Sequence, residues 1–193
     1  MTEFETKVLK TLLYNPSLFS LAIKNLGNHK YAMSTVKKYV TGVDFGIEIE
    51  GLSEGEIRIR YSEVKNIVNL YKLFMCYFPR FDYEYGIHIH IDCRDWFSKG
   101  CNPEWYPNGL LEYLIAVFDY KGGYNRHEVS YVKTAIRCHN GHKTTEYRII
   151  KMPRSWSEFI KNIMICQYAT KLFKDRQPFD DKAKNYINDL LLL

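Results

Sequence analysis

The residues in this chain best suited to chemistry sit two apart on short alternating runs. Glu48 and Glu50 lie in FGIEIE, His88, His90 and Asp92 in GIHIHID, and Glu146 and Arg148 in TTEYRII. Glu56, Arg58 and Arg60 alternate with Ile57 and Ile59, and Arg137 and His139 flank Cys138. Residues two apart on a strand point the same way at about 6.6 Å, and paired strands lie about 4.8 Å apart, so adjacent runs would converge within about 10 Å. Carboxylates brought that close repel one another unless a divalent cation such as Mg²⁺ or Mn²⁺ neutralises them, and hard cations favour oxygen ligands. Arginines beside them can hold phosphate oxygens bidentately. Cation sites next to phosphate sites suit nucleotide-dependent phosphoryl chemistry.

Taken singly, each pattern has a plainer explanation. An isolated E-x-E is more often a solvated strand face than a metal site, and E-x-R alone is usually a cross-strand ion pair worth little at a surface. Paired imidazoles are rarer as decoration. What raises the reading is their co-occurrence, because a solvated face normally mixes Thr, Ser, Lys and Gln.

The elements that must position these residues are legible from periodicity. Residues 3–40 read as two or three helices, punctuated by Pro16 and by Gly27 and Asn28. A hairpin follows, with Val43, Phe45, Ile47 and Ile49 on one strand, Ile57, Ile59 and Tyr61 on the other, and Gly51 to Gly55 turning between them. Ser62 can cap a helix that Pro79 ends, and Ile87, Ile89 and Ile91 then alternate with the histidines. Residues 94–107 read as a loop, and a helix is expected from Asn108 to about Tyr120 before Gly122 and Gly123. Asn140 and Gly141 turn a second hairpin over 131–150. Ser155 and Glu158 form a capping box for a helix through Lys174, and a last helix runs from Asp180 into four leucines. With no repeat, low-complexity tract or interior linker, 1–193 reads as one domain. It comprises a helical extension (1–40), a core (41–175) and a C-terminal helix (176–193).

The 193 residues are 46% hydrophobic and 16% aromatic, enough for a proper core. A net charge of +5 suits a phosphate- or carboxylate-bearing partner but not a dedicated nucleic-acid binder. Five cysteines without a C-x-x-C spacing fit a reducing compartment. The N-terminus lacks a signal-peptide layout, and no apolar run is long enough to cross a bilayer, so a cytoplasmic protein with no membrane partner is expected.

At these motifs the chain resembles the carboxylate–amine ligase superfamily, which includes glutamine synthetase and gamma-glutamylcysteine ligases. It is most similar to the small amidoligases of bacteria and phages. Their G-[IV]-E-[IV]-E, G-[IL]-H-[IV]-H and E-[FY]-R strands correspond here to Gly46–Glu50, Gly86–His90 and Glu146–Arg148, and the likeness runs from about residue 42 to 174. The resemblance implies an α+β fold, a glutamine-synthetase-like antiparallel sheet with helices on one face and a charged active-site face on the other. It implies ATP and Mg²⁺ or Mn²⁺ as cofactors, and amide-bond formation between a carboxylate and an amine through an acyl phosphate. Glu48, Glu50, His88 and Glu146 would bind the metal ions, with Glu56 a further acidic candidate. His90 would lie near the nucleotide or the transferring phosphoryl group, and Arg148 would stabilise that group in flight. Arg137 and Arg126 resemble the basic residues upstream of E-x-R, and Arg60 is a further phosphate-binding candidate. The chain is shorter than typical amidoligases, and the segment between the histidines and the second hairpin is compressed. A short, divergent version of this kind suits a phage genome.

Two other classes stay open. One is a metal-dependent hydrolase using His88 and His90 with Asp92 or Glu48 around Zn²⁺; the other is a non-catalytic binding or assembly protein. His127, His139 and His142 read as surface or hairpin histidines. Cys93 and Cys138 could face the site without acting as nucleophiles, and Trp96, Trp105 and Tyr106 form either a lid or the packing under the 94–107 loop.

Overall fold

The computed structural model describes residues 1–25, 27–40, 44–49, 57–60, 67–77, 86–97, 106–119, 136–139, 141 and 143–193, apart from the side chains of 20, 23, 24, 57, 58, 77, 97 and 137–139. The calls on Glu50, Glu56, Ser62, Pro79, Trp105, Gly122, Gly123, Arg126, His127, Asn140 and His142 lie outside the described residues.

The first helices are α1 (Glu3–Tyr14), α2 (Phe19–Asn25) and α3 (His29–Tyr39), with a 3₁₀ turn at Pro16–Leu18 between the first two. Thr2 and Glu5 form a full capping box at the start of α1, each side chain taking the other's backbone N–H. Two strands follow, β1 (Phe45–Ile49) and β2 (Ile57–Arg60), then α4 (Ile67–Tyr77) and β3 (Gly86–Asp92). Short helices α5 (Arg94–Phe97) and α6 (Leu110–Val117) precede β4 (Ile136–His139) and β5 (Thr144–Lys151), and α7 (Trp156–Lys174) and α8 (Asp181–Leu192) close the chain.

The strands form one antiparallel sheet in the order β2-β1-β3-β5-β4. Both expected hairpins are present, and β3 lies between them, so the strand carrying the histidines is central. The fold is α+β. Phe45, Ile47, Ile49, Ile87, Ile89, Ile91 and Tyr147 are buried in the core with the inner side of α7, through Phe159, Ile160 and Ile163. The N-terminal helices belong to that packing. Trp156 donates from Nε1 to the Leu12 carbonyl at 3.1 Å, and Gln167 from Nε2 to the Val40 carbonyl at 3.0 Å. The C-terminal leucines dock rather than protrude as a group: Leu190 and Leu193 are buried, and the Leu193 carbonyl accepts from the Tyr14 hydroxyl.

Three details differ from the pattern expected of the sequence. Residues 94–97 form a helical turn instead of loop, with Trp96 packed edge-on against Phe173 at 4.4 Å. The α6 helix starts at Leu110, after Gly109 at φ 79°, a conformation that favours glycine. The α7 capping box is only half made: Ser155 Oγ accepts the Glu158 N–H, but Glu158 reaches back to the Arg154 N–H, one residue beyond the cap. Among the described residues, no helix is long and apolar enough to cross a membrane.

Candidate metal centre

Register decides which polar residues meet. One row across the sheet aligns Arg58, Glu48 and His88; the next aligns Arg60, Gly46, His90, Glu146 and Arg137. Ile87 pairs with Ile150 while Ile89 pairs with Tyr147, so Arg148 and Ile149 together stand opposite His88. This β-bulge places one extra residue in β5 and shifts its alternation. Simple period-two reading of TTEYRII would put Ile150 on the face of Glu146, whereas it pairs with a core isoleucine. The bulge brings Arg148 against both neighbours. Its Nε lies 3.4 Å from His88 Nε2 and 3.4 Å from Glu146 Oε1.

Four donor atoms, one each from Glu48, His88, His90 and Glu146, lie within 4.8 Å of one another. His88 Nδ1 is 3.1 Å from Glu146 Oε1 and 3.6 Å from Glu48 Oε2, and His90 Nε2 is 3.3 Å from the same Glu48 oxygen. A metal bound at roughly 2.1 Å separates adjacent donors by about 3.0 Å in an octahedron and about 3.4 Å in a tetrahedron. These three spacings fall around that range and all four donors lie within 4.8 Å, so the residues fit a single divalent ion. On its outer side, His90 Nδ1 meets Thr144 Oγ1 at 2.9 Å.

The polar face of the sheet is not the solvated surface that antiparallel sheets commonly present. His88, His90, Glu146 and Arg148 are all buried, and Glu48 retains 13% side-chain exposure. Four ionisable side chains gathered away from water are too costly to be surface decoration. The solvated-face explanation therefore does not apply to them.

Of the expected metal ligands, Glu48, His88 and Glu146 come together, and His90, expected beside the nucleotide, joins the same donor set. Arg148 is adjacent. Arg137 is opposite Glu146 in register, and Arg60 is opposite Gly46 on the exposed edge of β2. Asp92 is a correction. It does not enter the cluster but is gripped by Arg94, whose Nε and second terminal nitrogen reach both carboxylate oxygens at 2.7–3.0 Å. Burial alone would raise the Asp92 pKa, but the Arg94 hydrogen bonds and charge bring it below the usual value. The hydrolase set of His88, His90 and Asp92 is thus not assembled. Cys93 is a second correction: its Sγ lies 3.2 Å from Thr145 Oγ1 in a buried pocket with Trp96 and Phe173, turned from the cluster. Tyr106 stacks on Phe173 at 4.9 Å, so it and Trp96 both pack against that ring, while Trp105 and the rest of 98–105 lie outside the described residues.

Behind the site, Tyr147 anchors β5 to the helical layer. Its hydroxyl is 2.7 Å from Thr170 Oγ1 on α7 and accepts from Tyr106 at 3.0 Å. Burial, with Tyr106 and Cys166 nearby, pushes its pKa well up, so it stays a neutral phenol. Sequence reasoning missed Thr144, although its position two before Glu146 on the same alternating run was the available signal. Comparison with family models, curated proteins and solved structures gives no match to this chain.

Proposed function

We propose that this protein is an ATP-dependent carboxylate–amine ligase whose divalent cation is held by Glu48, His88, His90 and Glu146. The observation that carries the reading is the buried four-donor cluster with an arginine at 3.4 Å from its Glu146 oxygen. Its residues are those of the E-x-E, H-x-H and E-x-R motifs, converging from three adjacent strands. A divalent ion, when bound, supplies charge neutralisation for phosphate oxygens. Arg148 adds a guanidinium where negative charge would build on the transferring phosphoryl group. In backbone register Arg60 and Arg137 occupy opposite ends of the His90–Glu146 row, and in this reading they keep the phosphate-facing roles the resemblance implies. Arg126, Glu50 and Glu56 keep the roles the resemblance implies.

In the proposed reaction a substrate carboxylate oxygen attacks the γ-phosphorus of ATP and ADP departs. The amine nitrogen then attacks the acyl carbon, loses a proton and expels phosphate. The protein contributes positioning of the two substrates and a pre-arranged electrostatic site. A metal-dependent hydrolase is the second reading, favoured by the two imidazoles, which suit Zn²⁺; its ligands would be His88 and His90 with Glu48 or Glu146. Calorimetric titration of ATP with Mg²⁺ or Mn²⁺ tests the proposal, beside a Glu48→Ala, Glu146→Ala double variant. Metal-dependent binding lost in the variant is expected. No ATP binding by folded, metal-loaded protein sinks the ligase reading and turns attention to zinc-dependent hydrolysis.

A further inference from the structure

The two histidines enter the cluster by different nitrogens, His88 by Nδ1 and His90 by Nε2. Imidazole orientation is not fixed by ordinary rotamer preference, because the terminal torsion is broad and nearly two-fold. Turning the His90 ring over would exchange a nitrogen for a carbon on the side of Glu48. A hydrogen bond to one ring nitrogen can choose between the two orientations, and the outer nitrogen, Nδ1, has Thr144 Oγ1 at 2.9 Å.

We propose that Thr144 is a positioning residue that aims His90 Nε2 into the metal centre. The inference rests on the metal-centre reading above. Thr144 opens β5 directly after Lys143, which sits at φ 53°, and it pairs with Asp92 across β3. His90 pairs with Glu146, the next residue on the same face, so Thr144 is its diagonal neighbour. That offset lets a short branched side chain set its oxygen 2.9 Å from His90 Nδ1 without entering the cluster. A hydroxyl suits the task because it both donates and accepts. It can satisfy Nδ1 in either neutral tautomer of the ring, and it would accept from Nδ1–H when Nε2 donates its lone pair to a metal. Outer partners of this kind fix ring orientation and raise ligand basicity.

The test uses full-length protein stripped with chelator and titrated with Mn²⁺, the free ion being counted by electron paramagnetic resonance. Thr144→Val keeps the branched shape and strand preference but removes the hydroxyl; Thr144→Ser restores it. Thr144→Val is expected to weaken Mn²⁺ binding about 10- to 100-fold. Thr144→Ser should bind close to wild type, and all three proteins should melt together in chelator. Wild-type binding matched by Thr144→Val overturns the role of Thr144 alone. Equal weakening in Thr144→Ser also overturns it, since the hydroxyl would then not be the cause. Failure of wild type to bind Mn²⁺ at all overturns the metal centre and this inference with it.

Discussion

Replacing Glu146 by Gln separates a metal centre from a merely structural ion-pair network. The substitution keeps shape and removes one charge. The donor oxygens of Glu48 and Glu146 lie within 4.8 Å, a like-charge repulsion of at least about 3.5 kcal/mol at an effective dielectric of 20. Against it stands Arg148 Nε at 3.4 Å from Glu146 Oε1, an attraction of about 5 kcal/mol on the same scale. Removing the Glu146 charge deletes both, so in chelator the variant should differ from wild type by no more than about 1.5 kcal/mol. With Mn²⁺ present the two should part. At a free concentration 100 times its Kd, a bound ion stabilises the fold by about 2.7 kcal/mol. For a chain of 193 residues that raises Tm by about 5–11 °C. A variant weakened a hundredfold would sit at its own Kd and gain about 0.4 kcal/mol, roughly 1 °C. Differential scanning calorimetry over a Mn²⁺ series measures both. An equal Mn²⁺ shift in the two proteins would refute the assignment of Glu146 as a ligand. A loss of several kcal/mol in chelator would instead make Glu146 the structural counter-ion of Arg148 and His88.

Three further substitutions probe other parts of the structure. Arg148→Lys keeps charge but loses the planar fork, so Mn²⁺ binding should persist while ATP affinity, measured calorimetrically with Mn²⁺ present, falls about tenfold or more. Tyr147→Phe leaves the Thr170 and Tyr106 hydroxyls without their shared partner and should cost about 1–3 kcal/mol in urea denaturation, with metal affinity retained. Glu5 supplies a pH signature. Burial alone would raise its pKa, but Lys38, the Thr2 N–H and Tyr39 overcome that and hold it at about 2 against an ordinary 4.5. Its stabilising contribution is therefore complete above about pH 4.5 and is lost as pH falls toward 2. Glu5→Gln should flatten acid unfolding across that window, as followed by circular dichroism.

The amphipathic helices and the alternating strands were legible in the sequence because each depends on contacts with a short period. The site was legible for the same reason: Glu48, His88, His90, Glu146 and Arg148 all fall on the polar phase of apolar strands. Three features were not. The insertion of β3 between two hairpins is a long-range pairing that no local period encodes. The bulge at Arg148 and Ile149 breaks alternation inside a run that otherwise reads as regular, and it is what sets Arg148 against His88 and Glu146. The fate of Asp92 turned on Arg94, a residue two further on whose side chain folds back once α5 begins. Alternation correctly placed Asp92 on the histidine face but could not show that its carboxylate was already engaged.

Burial and ligand count together constrain which ion could make this centre catalytic. If all four side chains bind one Zn²⁺ at single atoms, the tetrahedron is complete, as in structural zinc sites. A zinc hydrolase here would have to release one of the four to admit water or substrate. A six-coordinate Mg²⁺ or Mn²⁺ bound by the same four atoms keeps two positions for phosphate oxygens or water. Those positions need a route to solvent, and the donors are not equally enclosed: His88 and Glu146 are 1% exposed, Glu48 13%. Glu48 lies on β1, toward the β2 edge that carries Arg60, while Arg148 flanks the cluster on the β5 side. A polyphosphate approaching past Glu48 would thus have Arg60 near its entry and Arg148 at its inner end. That polarity would rest on a strand order of β2-β1-β3-β5, with Arg60 on the β2 edge and Glu146 and Arg148 together on β5, and under the proposed function it would favour phosphoryl transfer over hydrolysis at a closed zinc.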